Sequence, residues 1–365
     1  MAHARRVSSP GRTAARRGRA GEGLTEPGDL RAWMDARSLG HGPLEDVVLL
    51  TGGTQNVLLR FRRDGTEYVL RRPADGAFDD QIIVRETRVL AALSGTDVPH
   101  PRLLACELDR SVLGFPFLLM EPIDGVVATE GWPPGFADDA EAMARVGVSS
   151  VEALARLSRV EPGRVGLEDL ARPGDFLERQ VPRWRWQLTS YEQVEGYVPL
   201  PALPVRTVER WLESGRPPSG AVALLHGDAH LGNVMFRQAD GCALALVDWE
   251  LATIGDPLLD LAEFLVCWPG PGGGGLCTEI LPLAPTVGLA TKEELLRVYG
   301  EVSGRDVSGI EWYEVLAAYR LAVLLEGSSA RAQAGRGDEA TGAVLHRVAV
   351  SLMEWAADRT SCGIR

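Results

Sequence analysis

Between Leu224 and Glu250 the chain reads LLHGDAHLGNVMFRQADGCALALVDWE, and this stretch restricts the fold more than any other. Two short apolar runs flank Ala239-Asp240-Gly241, a turn signal that closes an antiparallel hairpin. A hairpin returns to its start. Asn233 at its beginning and Asp248 at its end therefore meet near its open end. A further apolar run, AVALL, reads as a strand that delivers Asp228 one short loop away.

Asn233 and Asp248 offer two oxygen donors suited to a hard cation such as Mg2+. Asp228 adds a carboxylate that can orient an attacking hydroxyl and accept its proton. Together they form the set that phosphoryl transfer needs, with metal ions bridging the phosphates. Taken alone, the same residues also describe an acidic β-turn with Asn as a turn former, so the partners in the amino-terminal half decide between the two.

There, VLLRFRR and TEYVLRR surround Asp64-Gly65, a strong hairpin signal. The helix DDQIIVRETRVLAALSG follows, then two more strands in VPHPRLLACELD and FPFLLMEPIDG. Glu86 lies four residues after Ile82 and four before Leu90, on the face of the apolar residues. An acid there wants a cation. Arg71 alternates with Leu70 along its strand, which puts a guanidinium on the opposite face, able to bridge Glu86 and phosphates. Upstream, Leu50-Thr51-Gly52-Gly53-Thr54-Gln55-Asn56 is a small-residue turn whose amides can approach phosphates. From about Asp138 the periodicity is helical, interrupted only by the β island above. The fold class is therefore α+β, and 365 residues suffice for two lobes.

Composition removes other chemistries. Of 38 basic residues only Lys292 is a lysine, so a Walker A loop and a Schiff-base amine both lose their essential side chain. The five cysteines show no CxxC, which argues against a zinc site or a disulfide framework. The first 20 residues carry six arginines and no acid; without those six the net charge of −12 becomes −18. The tail lacks aromatics and an apolar face, so it reads as disordered over residues 1–24. The acidic remainder argues against nucleic acid. With no apolar run long enough for a bilayer and no signal-peptide core, we expect no membrane association and a cytoplasmic location.

The order Gly-rich turn, strand Arg71, helix Glu86, LLMEPIDG, HGDAHLGN and DWELATIGDP resembles the aminoglycoside phosphotransferase and choline kinase family of the protein-kinase-like fold. The strings LTGGTQN, LGFPFLLMEPIDG, ERQVPRW, VDWELATIGDPLLDLA and YRLAVLLEG are similar to the branch whose kinase-like domains occur alone or fused to acyl-CoA dehydrogenases. The resemblance covers the chain from about Leu30 to the last helices. It implies a bilobal fold, with a β-rich N-lobe over residues 25–122 and a larger, mostly helical C-lobe over 123–360.

It also implies roles. Asp228 is the catalytic base or hydroxyl-orienting residue, and Asn233 and Asp248 hold Mg2+. Arg71 and Glu86 form the phosphate-anchoring pair, and Gly53 with Thr54 covers the phosphates. The Glu121 carbonyl and Ile123 amide bond adenine, His226 supports the loop, Asp256 caps a helix, and Asp260 ties that helix to the loop. Glu250 faces metal or substrate, or is structural. Two departures stand out: arginine where many relatives carry lysine at 71, and Ser158 where relatives often have histidine. The implied activity is transfer of the γ-phosphoryl group of ATP, or GTP, to a hydroxyl of a small molecule such as a hydroxyacyl compound or natural product. Inactivation of an aminoglycoside or other antibiotic is the competing substrate class. A nucleotide-binding pseudokinase is the competing function, against which the intact Asp228, Asn233 and Asp248 stand. Phe176 to Trp211 and Cys267 to Leu289 are the expected acceptor region, where Trp184, Trp186, Tyr191 and Tyr197 line a pocket or fill the core.

Overall fold

The computed structural model describes residues 27–50, 56–73, 80–220, 222–270, 274–283 and 288–362. The amino-terminal tail, Gly53 and Thr54 lie outside the described residues. Contacts divide the chain into two compact units: residues up to Thr87 with Arg102–Pro122, and Arg88–Pro101 with everything from Ile123.

In the first unit, α1 (Pro27–Asp35) precedes β1 (Glu45–Leu50), β2 (Asn56–Arg63) and β3 (Thr66–Pro73). Then come α2 (Asp80–Leu93), which continues into the second unit, β4 (Leu103–Glu107) and β5 (Phe117–Met120). The strands form one antiparallel sheet in the order β1-β2-β3-β5-β4. Asp64 and Gly65 both take positive φ, 52° and 73°, as a two-residue hairpin turn demands. This turn sets Leu59 opposite Leu70 and Phe61 opposite Tyr68. Those four side chains share one sheet face with Leu30, Trp33 and Met34 of α1, spaced three and four apart. Truncating Leu70, which is fully buried, removes about 2–5 kcal/mol. Arg71, one residue on, turns to the opposite face.

The second unit begins with β6 (Val126–Val127) and α3 (Ala140–Leu157), whose first turn is capped by the Asp139 carboxylate, 3.0 Å from the amides of both Glu141 and Ala142. Next are α4 (Gln180–Ser190), α5 (Ala202–Ser214), β7 (Ala223–Leu225), β8 (Val234–Phe236), β9 (Ala243–Leu246) and β10 (Thr253–Gly255). The chain ends with α6 (Leu258–Cys267), α7 (Lys292–Ser303), α8 (Ile310–Gln333) and α9 (Glu339–Cys362). α8 is buried almost all round, the mark of a central helix, and packs among α4, α5, α6 and α9. β8 and β9 form the expected hairpin. Its turn docks on α3, where Ser149 donates to the Gly241 carbonyl and accepts from the Ala243 amide.

Phe176 to Arg179, expected to be helical, form a turn in front of α4; Pro173 and Gly174 precede them, and the Asp175 carboxylate instead accepts the Glu178 amide at 2.8 Å. Among the described residues no helix is long and apolar enough to cross a membrane.

Candidate active site

β7 pairs with β10, Leu224 opposite Ile254, and delivers the chain to His226. The loop that follows is held from behind by Asp260 on α6. Its carboxylate accepts the His226 amide at 2.6 Å and the Gly227 amide at 3.0 Å. Gly227 has φ +81°, and a Cβ there would overlap the backbone of Leu251, so only glycine fits. The buried His226 ring donates from Nε2 to the Val247 carbonyl at 2.9 Å and lies against Trp249. Support, not proton transfer, is what this ring is placed to give.

Asn233 closes the loop. Its Nδ2 donates to the Asp228 carbonyl at 2.9 Å and to Asp228 Oδ2 at 3.0 Å. The amide oxygen, Oδ1, is thereby turned away from Asp228. The Asn233 carbonyl accepts the Val247 amide at 2.9 Å, so the hairpin's last bond fixes the residue just before Asp248. Asp248 itself adopts φ 68°, ψ 65°, a left-handed conformation that costs a non-glycine residue about 1–3 kcal/mol. Buried Trp249, its indole bonded to the Leu246 carbonyl at 2.9 Å, anchors the other side.

These residues fit a hard cation. An amide oxygen and a half-buried carboxylate flank one hairpin end. Among the described residues no group of three or more His, Cys, Asp or Glu could hold a metal alone. Mg2+ suits such a sparse set, because it binds through one or two protein oxygens and takes the rest from water and phosphate.

Asp228 also meets His230, whose Nε2 lies 3.4 Å from the same Oδ2. Burial works against ionisation of Asp228, but the His230 hydrogen bond and nearby positive charge, including Arg320, hold its carboxyl well below the usual range. It is a carboxylate at neutral pH. Behind the loop, Arg320 of α8 donates to the Gly227 carbonyl and pairs with Glu263 of α6 at 2.5 Å. Burial pushes Glu263 up to about 7 against the pull of Arg320.

In the first unit Arg71 and Glu86 form a buried ion pair. Glu121 follows β5 with its amide on the Arg102 carbonyl and its carboxylate on the Arg102 guanidinium at 2.7 Å. The Glu121 carbonyl and Ile123 amide take no backbone partner among the described residues. Trp184 is a core residue bonded to Gln180. Trp186 is 71% exposed, whereas Tyr197 donates to buried Glu326 at 2.6 Å. Asp256 does cap α6, its Oδ1 accepting the Leu258 amide at 3.1 Å.

Three residues of the second unit escaped the sequence reading. His230 stood inside the densest motif and was passed over. Glu263 falls three residues after Asp260 on an otherwise apolar helix, a visible anomaly. Arg320 lies inside the string YRLAVLLEG, but nothing local ties it to Glu263 or to the Gly227 carbonyl.

The description "Phosphotransferase enzyme family" belongs to the family profile that matches residues 46–281. The chain is a member of that family. This phosphotransferase is a kinase-type enzyme. It is 28% identical over 321 residues to acyl-CoA dehydrogenase family member 10 of Mus musculus, covering 87% of this chain but only 29% of that protein, in keeping with the dehydrogenase-associated branch. A crystal structure of a candidate aminoglycoside phosphotransferase from Ralstonia eutropha superposes with a TM-score of 0.76 at 26% identity, covering 92% of this chain and 98% of that one. A thermostable mutant of an aminoglycoside phosphotransferase, in ternary complex with AMP-PNP and hygromycin B, shares the fold with a TM-score of 0.54 at 16% identity, over 88% of this chain and 98% of that one.

Proposed function

We propose that this phosphotransferase moves the γ-phosphoryl group of ATP, or of GTP, to a hydroxyl of a small molecule in the presence of Mg2+. The observation that carries the reading is the double use of the Asn233 amide. Its nitrogen holds Asp228, and its oxygen joins the Asp248 carboxylate as a ligand to the cation. Asp228 orients the acceptor hydroxyl and takes its proton as the O–P bond forms. Its depressed pKa makes it a good orienter and only a brief holder of that proton.

Mg2+ held by Asn233 and Asp248 supplies charge neutralisation for the phosphates. Arg71, set by Glu86, anchors the phosphates. The Glu121 carbonyl and Ile123 amide receive the base. The AMP-PNP complex of a neighbour with the same fold supports the nucleotide.

For the acceptor, similarity to a protein named as an acyl-CoA dehydrogenase family member favours a hydroxyacyl compound over an aminoglycoside. The net charge of −12 is compatible with a polycationic acceptor as well, so both classes belong in the test. ATP and GTP consumption with Mg2+ is measured for wild type and Asp228→Asn against hydroxyacyl-CoAs, aminoglycosides, nucleoside antibiotics and amino alcohols, with product mass recorded. A phosphorylated product from the wild type alone is expected. Failure of the wild type to bind MgATP or MgGTP overturns the reading.

A further inference from the structure

We infer that His230 is a positioning residue for Asp228: its Nε2–H, together with the Asn233 amide, fixes carboxylate oxygen Oδ2, so that Oδ1 is the oxygen presented to the acceptor hydroxyl. This inference rests on the phosphotransfer reading of Asp228 and deepens it.

The geometry begins with Gly232. Its backbone amide donates to His230 Nδ1 at 3.0 Å, which requires a lone pair on Nδ1 and places the ring proton on Nε2. Nε2 then faces Asp228 Oδ2 at 3.4 Å, the atom that also receives Asn233 Nδ2 at 3.0 Å. Among the described residues no hydrogen bond reaches Oδ1, and the Asp228 side chain keeps 26% of its surface exposed. The two carboxylate oxygens are thus unequal: one is clamped twice and the other is offered.

Gly232 is shaped to this purpose. A Cβ there would lie 2.9 Å from His230 Cε1, so any side chain would drive the ring from its place. The imidazole otherwise borders a small cavity lined in part by Leu154, Val234, Leu246 and Phe264, and its Nε2 lies 3.4 Å from Asn233 Nδ2, the other donor that converges on Asp228 Oδ2.

Two substitutions separate positioning from mere loop capping. In His230→Asn the amide oxygen stands where Nδ1 stood and keeps the Gly232 bond, but nothing reaches Asp228. In His230→Gln the longer amide keeps a donor near Nε2 and gives up the cap. With MgATP as the probe and water as acceptor, His230→Asn should lower ADP formation about 10–100-fold at unchanged KM for MgATP. His230→Gln should stay within about threefold of wild type, and both should keep the wild-type thermal midpoint within a few degrees. Equal losses in both variants, or no loss in His230→Asn while Asp228→Asn is inactive, overturn the inference.

A second readout needs no turnover. Long-range 1H–15N correlation on histidine-labelled protein, with His230 assigned by its loss in His230→Asn, should show the Nε2–H tautomer and a shifted Nε2 resonance in Asp228→Asn. An Nδ1–H tautomer overturns the inference even in active enzyme. A wild type that binds no MgATP but shows the expected tautomer overturns the phosphotransfer reading and leaves the hydrogen bond established.

Discussion

Among the described residues each unit shows a buried arginine–glutamate pair. Arg71 with Glu86 and Arg320 with Glu263 are alike in chemistry and in depth, with every side chain at most 7% exposed. Their surroundings differ. Arg320 spends its second nitrogen on the Gly227 carbonyl and lies over the Trp184 ring, so its charge serves the main chain of the catalytic loop. Arg71 comes from the middle of a sheet, opposite Leu58 and Leu118, and in the proposed function its charge serves a ligand. An ion pair's depth therefore says little about its task; the atoms around it say more.

The largest expected effect tests the structural member. Arg320→Ala strands the Glu263 carboxylate and an unbonded Gly227 carbonyl, and should lower unfolding free energy by about 3–5 kcal/mol in urea titration. Arg320→Met with Glu263→Leu should regain most of it, because a buried pair replaced by apolar side chains leaves no unpaired charge. If the double variant is as unstable as the single, the pair does more than neutralise itself.

Arg71→Ala should weaken MgATP about 10–100-fold, the loss of one or two charge-assisted hydrogen bonds, and leave adenosine binding unchanged in calorimetry. Equal weakening of both ligands would make Arg71 a second Arg320. Arg71→Lys keeps the charge and loses the planar fork; a smaller loss, about 3–10-fold by the same conversion, is expected.

The subtlest difference is in pH. Burial lifts Glu263 from its ordinary 4.5 to about 7, so the folded chain holds a proton that the unfolded chain has released. That contribution is full below about pH 4.5 and is lost as pH rises through about 7. In Glu263→Gln the urea midpoint should vary less across this window than in the wild type. An unchanged pH slope would show that Arg320 keeps Glu263 ionised throughout.

What the sequence revealed follows from how far apart the partners stand. Arg71 and Glu86 are legible because each sits in a local pattern, period two in a strand and a four-residue spacing in a helix. The same is true of Asn233 and Asp248, because a hairpin with a clear turn brings its ends together. Arg320 and Glu263 are separated by 57 residues, and no periodicity links them. His230 was hidden differently: a histidine inside a motif looks like part of its scaffold until the Gly232 amide fixes which nitrogen carries the proton. Asp248 was found by position, while its left-handed backbone, imposed by Val247 and Trp249 on either side, is a tertiary outcome.

The contact of Gly227 with the Leu251 main chain bears on how such an enzyme could change its substrate. Where two backbones touch with no side chain between them, mutation has no shim to thicken or thin. The spacing between the loop of Asp228 and the turn after Asp248 is then closed to gradual adjustment. A lineage drifting toward a new acceptor would have to leave this joint alone and accumulate its changes in segments such as α4, with its outward-facing Trp186, where variation carries little penalty.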